Sequence, residues 1–281
     1  MKIIKYPEPE TFEELSRRPE LDRGQLEVTV VTIIEMVRSG GDRALKDYSK
    51  QFDQVDIDNL LVTDDEFKNA IKSVSEELKE SINIARANIE KFHASQIQSR
   101  QIVETTPGVR CWRSSTPIEK IGLYIPGGSA PLFSTLLMLA IPARLAGCED
   151  IVVCTPPSGN GKVDNVILYI AHELGIRKLC KVGGAQAIAA MTFGTETIPN
   201  VYKIFGPGNQ YVTVAKQLAQ MEGVAIDMPA GPSEVAIIAD YSANPAFIAA
   251  DLLSQAEHGP DSQVLLVTTD ESLIGRVQSE I

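Results

Sequence analysis

The sequence is poor in histidine, in paired cysteine and in positive charge, and each shortage removes a class of function. Three histidines and four cysteines are present, Cys111, Cys148, Cys154 and Cys180, with no Cys-x-x-Cys pair. A disulfide scaffold is excluded on that count. Cys148, Cys154 and Cys180 sit in or beside apolar strand-like runs such as Ile151-Val152-Val153, which reads as reduced core thiols rather than nucleophiles. Lys and Arg number 26 against 37 acidic residues, a net charge of −11, which argues against nucleic acid or an anionic membrane as the main partner. The longest apolar run, Leu132 to Ala143, is interrupted by Pro142 and falls short of membrane-spanning length. Met1 to Glu10 carries charges and two prolines where a signal peptide has an apolar centre. These absences predict a soluble cytoplasmic protein. Nucleotide motifs are missing too: Gly206-Pro-Gly208-Asn-Gln-Tyr211 lacks the third glycine of the dinucleotide fingerprint, Val182-Gly-Gly184 lacks its spacing, and no Walker A lysine follows a glycine run.

What is present is enough chain, 281 residues at 44% hydrophobic, for about two domains with a sizeable core. Composition shifts near residue 105. Residues 1–105 hold 36 of the 63 charged residues but 3 of the 20 glycines, so they read as helices, and the rest as strands and helices joined by tight turns. Leu26, Val30, Ile33, Ile34 and Val37 recur at helical spacing, with Gly40-Gly41 as a stop and a second helix from Asp42 towards Phe52. Thr63-x-x-Glu66 and Ser73-x-x-Glu76 fit capping boxes. The second of these helices should run to His93, a surface or dipole-compensating residue, with Ile82, Ala85, Ile89 and Phe92 inward.

Beyond it, Ile102–Thr105 and Val109–Ser114 flank Pro107-Gly108 as a hairpin. A repeating unit follows: a short β-rich run, a Gly/Pro turn, a helix. Strands are expected over 121–125, 150–155, 178–182, 202–205, 234–239 and 264–267, with helices over 134–146, 164–174 and 245–256. Such alternation implies a parallel sheet covered by helices. In such sheets ligands bind at the carboxyl ends of the strands, where helix N-termini offer free N–H groups. Those ends are the turns at 126–129, 183–186, 206–209 and 229–233.

Residues 206–263 contain GPGNQYV, IDMPAGPSE, AADLLSQAEHG and DSQ in that order. With GLYIPGG at 122–128 and VGGAQAIAA at 182–190, the chain resembles histidinol dehydrogenase, a zinc- and NAD-dependent oxidoreductase family, over essentially its whole length. The resemblance implies two Rossmann-like α/β/α domains with mainly parallel sheets, preceded by a helical N-terminal part. Residues 1–24 would be an arm, 25–122 and 235–281 an outer domain, and 123–234 an inserted NAD-binding domain. It aligns Tyr124, Gln186 and Asn209 with NAD-contacting positions, Ser233 with a substrate-contacting serine, and Gln255 and His258 with substrate contacts that are also two of the family's four protein zinc ligands. On their own residues five of the six are ordinary: Tyr124 a packed strand residue, Gln186 and Asn209 helix caps, and Gln255 and His258, three apart and so on one helix face, a polar helix end.

The resemblance further implies oxidation of L-histidinol through L-histidinaldehyde to L-histidine, in a cytoplasmic homodimer of histidine biosynthesis. It places the catalytic Glu-His pair and two more zinc ligands beyond Ile281, so the chain by itself is expected to fold at least partly, hold zinc poorly and be inactive. Glycine turns alone would equally allow a phosphosugar- or nucleotide-binding module without redox chemistry, and the helical N-terminal part an assembly domain.

Overall fold

A computed structural model describes residues 2–17, 23–127, 131–229, 233–256 and 262–281. The chain forms two compact units, Glu27–Pro229 and Met1–Leu26 with Ala230–Ile281. In chain order the elements are α1 (Phe12–Leu15), α2 (Arg23–Tyr48), α3 (Asp64–Ser73), α4 (Glu76–Ala94), β1 (Ile102–Thr106), β2 (Val109–Trp112), β3 (Lys120–Tyr124), α5 (Phe133–Leu145), β4 (Asp150–Thr155), α6 (Asn165–Glu173), β5 (Lys178–Lys181), α7 (Gly184–Phe193), β6 (Lys203–Phe205), α8 (Gln210–Met221), β7 (Ala225–Ile226), β8 (Glu234–Ala239), α9 (Pro245–Ala256), β9 (Gln263–Thr268) and α10 (Glu271–Glu280). This is the expected α/β class with parallel sheets and a helical N-terminal part.

The larger unit is built on a five-stranded, all-parallel sheet of order β5-β4-β3-β6-β7. Its three longest strands are almost wholly buried, the pattern of strands covered on both faces. α5 packs on α6, and α7 on α8, a doubly wound arrangement. Outside them α3 packs on α6 and α4 on α5. The free edge of β5 is closed by Leu60–Val62: the Val62 N–H donates to the Leu179 carbonyl at 2.9 Å and the Lys181 N–H to that of Leu60 at 2.7 Å.

Local chemistry explains the helix ends. The Thr63 hydroxyl accepts from the Glu66 N–H while the Glu66 carboxylate accepts from the Thr63 N–H, so the first capping box forms as expected. The second does not. Ser73 is the last residue of α3, and Ser75, in extended conformation, caps α4 by accepting from the Leu78 N–H. Gly40-Gly41 breaks α2 into two helical segments, as expected: Gly41, at the non-helical φ 54° and ψ −138°, ends the first and lets the chain turn beside the Glu196 carboxylate, which a Cβ would meet at 2.4 Å. Along α4 burial fades from Ile82 (buried) through Ala85 and Ile89 to Phe92, which is 63% exposed and not inward. The hairpin forms with β1 and β2 antiparallel, and both of its faces are exposed.

In the smaller unit β8 and β9 form a two-stranded parallel sheet, Glu234 opposite Gln263. Ile248, Ala249 and Leu252 of α9 join Leu273 and Val277 of α10 as its core.

Candidate functional site

The strand order of the larger unit reverses direction between β3 and β6. β4 and β5 were laid on one side of β3 and β6 and β7 on the other, so the carboxyl ends of β3 and β6 are the switch point at which doubly wound sheets have their ligand crevice. Tyr124 is the last residue of β3, Gln186 lies in the first turn of α7 after β5, and Asn209 caps α8 after β6. All three therefore lie at the carboxyl edge of one sheet.

Tyr124 is 4% exposed, and its hydroxyl accepts the Gly184 N–H at 2.9 Å, tying the end of β3 to the start of α7. Burial, above all, pushes its pKa up to about 12; the Gly184 N–H acts the other way, and the neighbouring Cys154 and Asp53 add to the rise. The phenol stays protonated and keeps its own hydrogen free to donate. Gln186 is 2% exposed; its amide makes no hydrogen bond among the described residues and is not among the polar atoms sealed from solvent. It is not the cap of α7, whose N-cap is Gly183. Asn209 does cap: its Oδ1 accepts the Val212 N–H at 3.1 Å, which leaves its NH₂ unengaged in that bond. Asp53, at the end of a π-type turn over Ser49–Asp53, went unnoticed in the sequence. Its Oδ2 is buried without a hydrogen-bond partner, and burial raises its pKa, the Ser49 hydroxyl opposing.

Beside this edge Cys154 and Cys180 face each other in register on β4 and β5. The hydrogen bond to Cys180, with burial behind it, holds the Cys154 thiol well above its ordinary pKa. Such a thiol is a poor nucleophile, in keeping with its reading as a core residue.

The second group of candidates belongs to the smaller unit. Ser233 and Ser262 directly precede the paired residues Glu234 and Gln263, so they flank each other at the amino edge of β8 and β9. Ser233 is exposed and Gln255 half-buried near the end of α9. The Gln255 NH₂ donates to the Ser262 hydroxyl at 3.2 Å, a bond that does not use its carbonyl oxygen. His258 lies outside the described residues. Among the described residues no cluster of three His, Cys, Asp or Glu side chains could hold a metal. One amide oxygen falls short of the three or four protein ligands a zinc site uses.

Strand order, covering helices and the turn at the reversal place the larger unit among the doubly wound α/β proteins. The family model described as histidinol dehydrogenase matches residues 16–281, and the chain belongs to the histidinol dehydrogenase family. It is 57% identical over 281 residues to the histidinol dehydrogenase of Bacteroides thetaiotaomicron and 51% identical over 285 residues to that of Xylella fastidiosa, covering all of this chain and 66% of each relative. The chain thus spans about two thirds of the length of these relatives. The crystal structure of histidinol dehydrogenase from Elizabethkingia anophelis superposes with a TM-score of 0.87 at 56% identity, over 98% of this chain and 63% of that one. Among the described residues no helix is long and apolar enough to cross a membrane.

Proposed function

We propose that this chain supplies the NAD-binding part of an enzyme that oxidises L-histidinol through L-histidinaldehyde to L-histidine, acting in the cytoplasm as a homodimer. NAD fits what the larger unit offers. The observation that carries the reading is the gathering of Tyr124, Gln186 and Asn209 at the carboxyl edge where the strand order reverses, with the Gln186 amide in the first turn of α7, two residues from the N–H that Tyr124 holds. The Gln186 amide is engaged by no other side chain among the described residues, and a hydrogen bond from a ligand to it is worth about 0.5–1.5 kcal/mol. In this reading Tyr124, Gln186 and Asn209 contact the dinucleotide, the Asp53 carboxylate stands ready for a hydroxyl donor, and the α7 and α8 N-termini face negative charge. NAD, when bound, supplies the hydride acceptor. Ser233, Gln255 and His258 would contact the substrate, the last two also as zinc ligands. The described residues alone do not complete a zinc site.

The test is calorimetric titration of the chain with NAD⁺, ATP and ribose 5-phosphate, repeated on Gln186→Ala. Binding of NAD⁺ that weakens about tenfold in Gln186→Ala, the loss of roughly one good hydrogen bond to a buried partner, supports the reading. Binding of ribose 5-phosphate and ATP without NAD⁺ would instead favour a phosphate-binding module without redox chemistry.

A further inference from the structure

α8 carries a lysine where its spacing calls for an apolar residue. Val212, Ala215, Lys216 and Ala219 share its buried face, and Lys216 is 5% exposed. A lysine so deep requires a partner. It has two: its ammonium donates to the Gly206 carbonyl at 2.8 Å and pairs with Asp227, directly after β7. The other Asp227 oxygen accepts the Gly206 N–H at 2.8 Å, and the Asp227 N–H donates to the Ile204 carbonyl at 3.2 Å. Both backbone groups of Gly206 are thereby taken by one ion pair, which ties together the turn after β6, the middle of α8 and the end of β7.

Gly206 is the residue at which the sheet reverses. Its φ of +134° is one L side chains rarely adopt, and a Cβ there would stand 2.1 Å from the Tyr124 carbonyl oxygen. The ends of β3 and β6 touch at that point, and the crevice begins above it. Stability alone does not account for an ion pair here, because apolar side chains of similar volume commonly replace a buried pair at no cost. What they could not supply is a donor and an acceptor fixed on either side of one glycine.

We propose that Lys216 and Asp227 are positioning residues for the nucleotide: they hold the Gly206-Pro207-Gly208 turn, and with it Asn209 and the α8 N-terminus, in the binding conformation before a diphosphate arrives. This rests on the reading of the β3–β6 crevice as the NAD site. It predicts that the turn is rigid in the free chain and that the pair governs affinity separately from stability.

The experiment compares wild type, Lys216→Met and the double variant Lys216→Met/Asp227→Leu by thermal melting and by calorimetric titration with NAD⁺ and ADP. The single variant should melt lower, an Asp having lost its partner. The double variant should melt above the single variant, no charge being left unpaired, but below wild type, because the Gly206 N–H and carbonyl lose their partners, and it should bind both ligands at least tenfold more weakly. Wild-type affinity in the double variant overturns the proposal. Absence of NAD⁺ and ADP binding in wild type overturns the nucleotide reading itself, and the positioning role with it. Hydrogen exchange of the Gly206 amide, which needs no variant, decides the matter if the substituted chains do not fold. Protection in the free chain, unchanged by NAD⁺, supports a preformed turn; fast exchange slowed only by NAD⁺ refutes it.

Discussion

Replacing Tyr124 by Phe should destabilise the larger unit at neutral pH and stabilise it in strong alkali. The phenyl ring fills the same buried volume, but the Gly184 N–H loses the oxygen that accepts it at 2.9 Å. A buried donor left unsatisfied costs about 1–3 kcal/mol, and a value of about 1 kcal/mol is expected because this N–H is only partly buried. The alkaline side follows from linkage. The folded-state pKa, about 12, lies above the value of about 10 for a tyrosine in the unfolded chain, so the folded state keeps the proton longer. Its stabilising effect is complete below about pH 10 and is lost as pH rises towards the folded value, by about 1 kcal/mol at pH 11 and about 2 kcal/mol at pH 12. Tyr124→Phe carries no such loss, so the two stability curves should cross near pH 11. Urea denaturation followed by far-ultraviolet circular dichroism from pH 7 to 12 measures this, with tyrosinate absorbance as the independent titration. Parallel curves that never approach each other would show that Tyr124 does not ionise against its burial as argued.

Two further outcomes concern the same unit. Glu66→Gln keeps the capping-box geometry but removes the charge facing Lys181, whose ammonium lies 2.7 Å from the carboxylate and whose side chain is 9% exposed; a loss of about 1–3 kcal/mol is expected at pH 7. Burial raises the Glu66 pKa, but the bonds from Lys181 and Thr63 outweigh it and hold it below its ordinary value. The stabilisation is therefore present above the unfolded carboxylate pKa of about 4 and lost as pH falls through the lower folded value; an equal deficit of the variant at pH 7 and in strong acid would contradict this. With a disulfide reagent, Cys111 should react at once in the native chain and Cys148, Cys154 and Cys180 only on unfolding; a second fast thiol would mean that the core opens readily.

How much could be read in advance depended on how local the physics was. The alternation of strand runs and turns gave the parallel sheet, because a buried strand is marked by its own residues. Thr63 and Glu66 meet within one turn, and their spacing was sufficient. Ser73 and Ser75 show the limit: both precede Glu76, and only the backbone, helical at one and extended at the other, decides which caps. Gln186 stands at a helix start, where an amide commonly caps, but Gly183 holds the cap position and Gln186 falls inside the first turn. Phe92 kept helical phase with Ile82 yet lies where α4 has little to pack on. Lys216 carried a signal, a charge on an apolar face, but its partner lies across a strand and no spacing names it. Asp53 carried none, since nothing local distinguishes a carboxylate that folding will bury.

The order of strands in the larger sheet also prescribes how it is assembled. The chain begins at the centre with β3 and adds β4 and β5 outward before β6 returns to the bare edge of β3, where Ile121 meets Lys203. Closing so long a connection as a loose loop would cost roughly 4 kcal/mol of chain entropy. Most of that connection is already strand and helix by then, so β6 arrives on a short, stiff tether and the cost falls. The β3–β4–β5 half can thus form while later residues are still being synthesised. The crevice has no existence until the last strands dock, so damage to β6, α8 or β7 should leave a folded half-sheet that has nowhere to put a ligand.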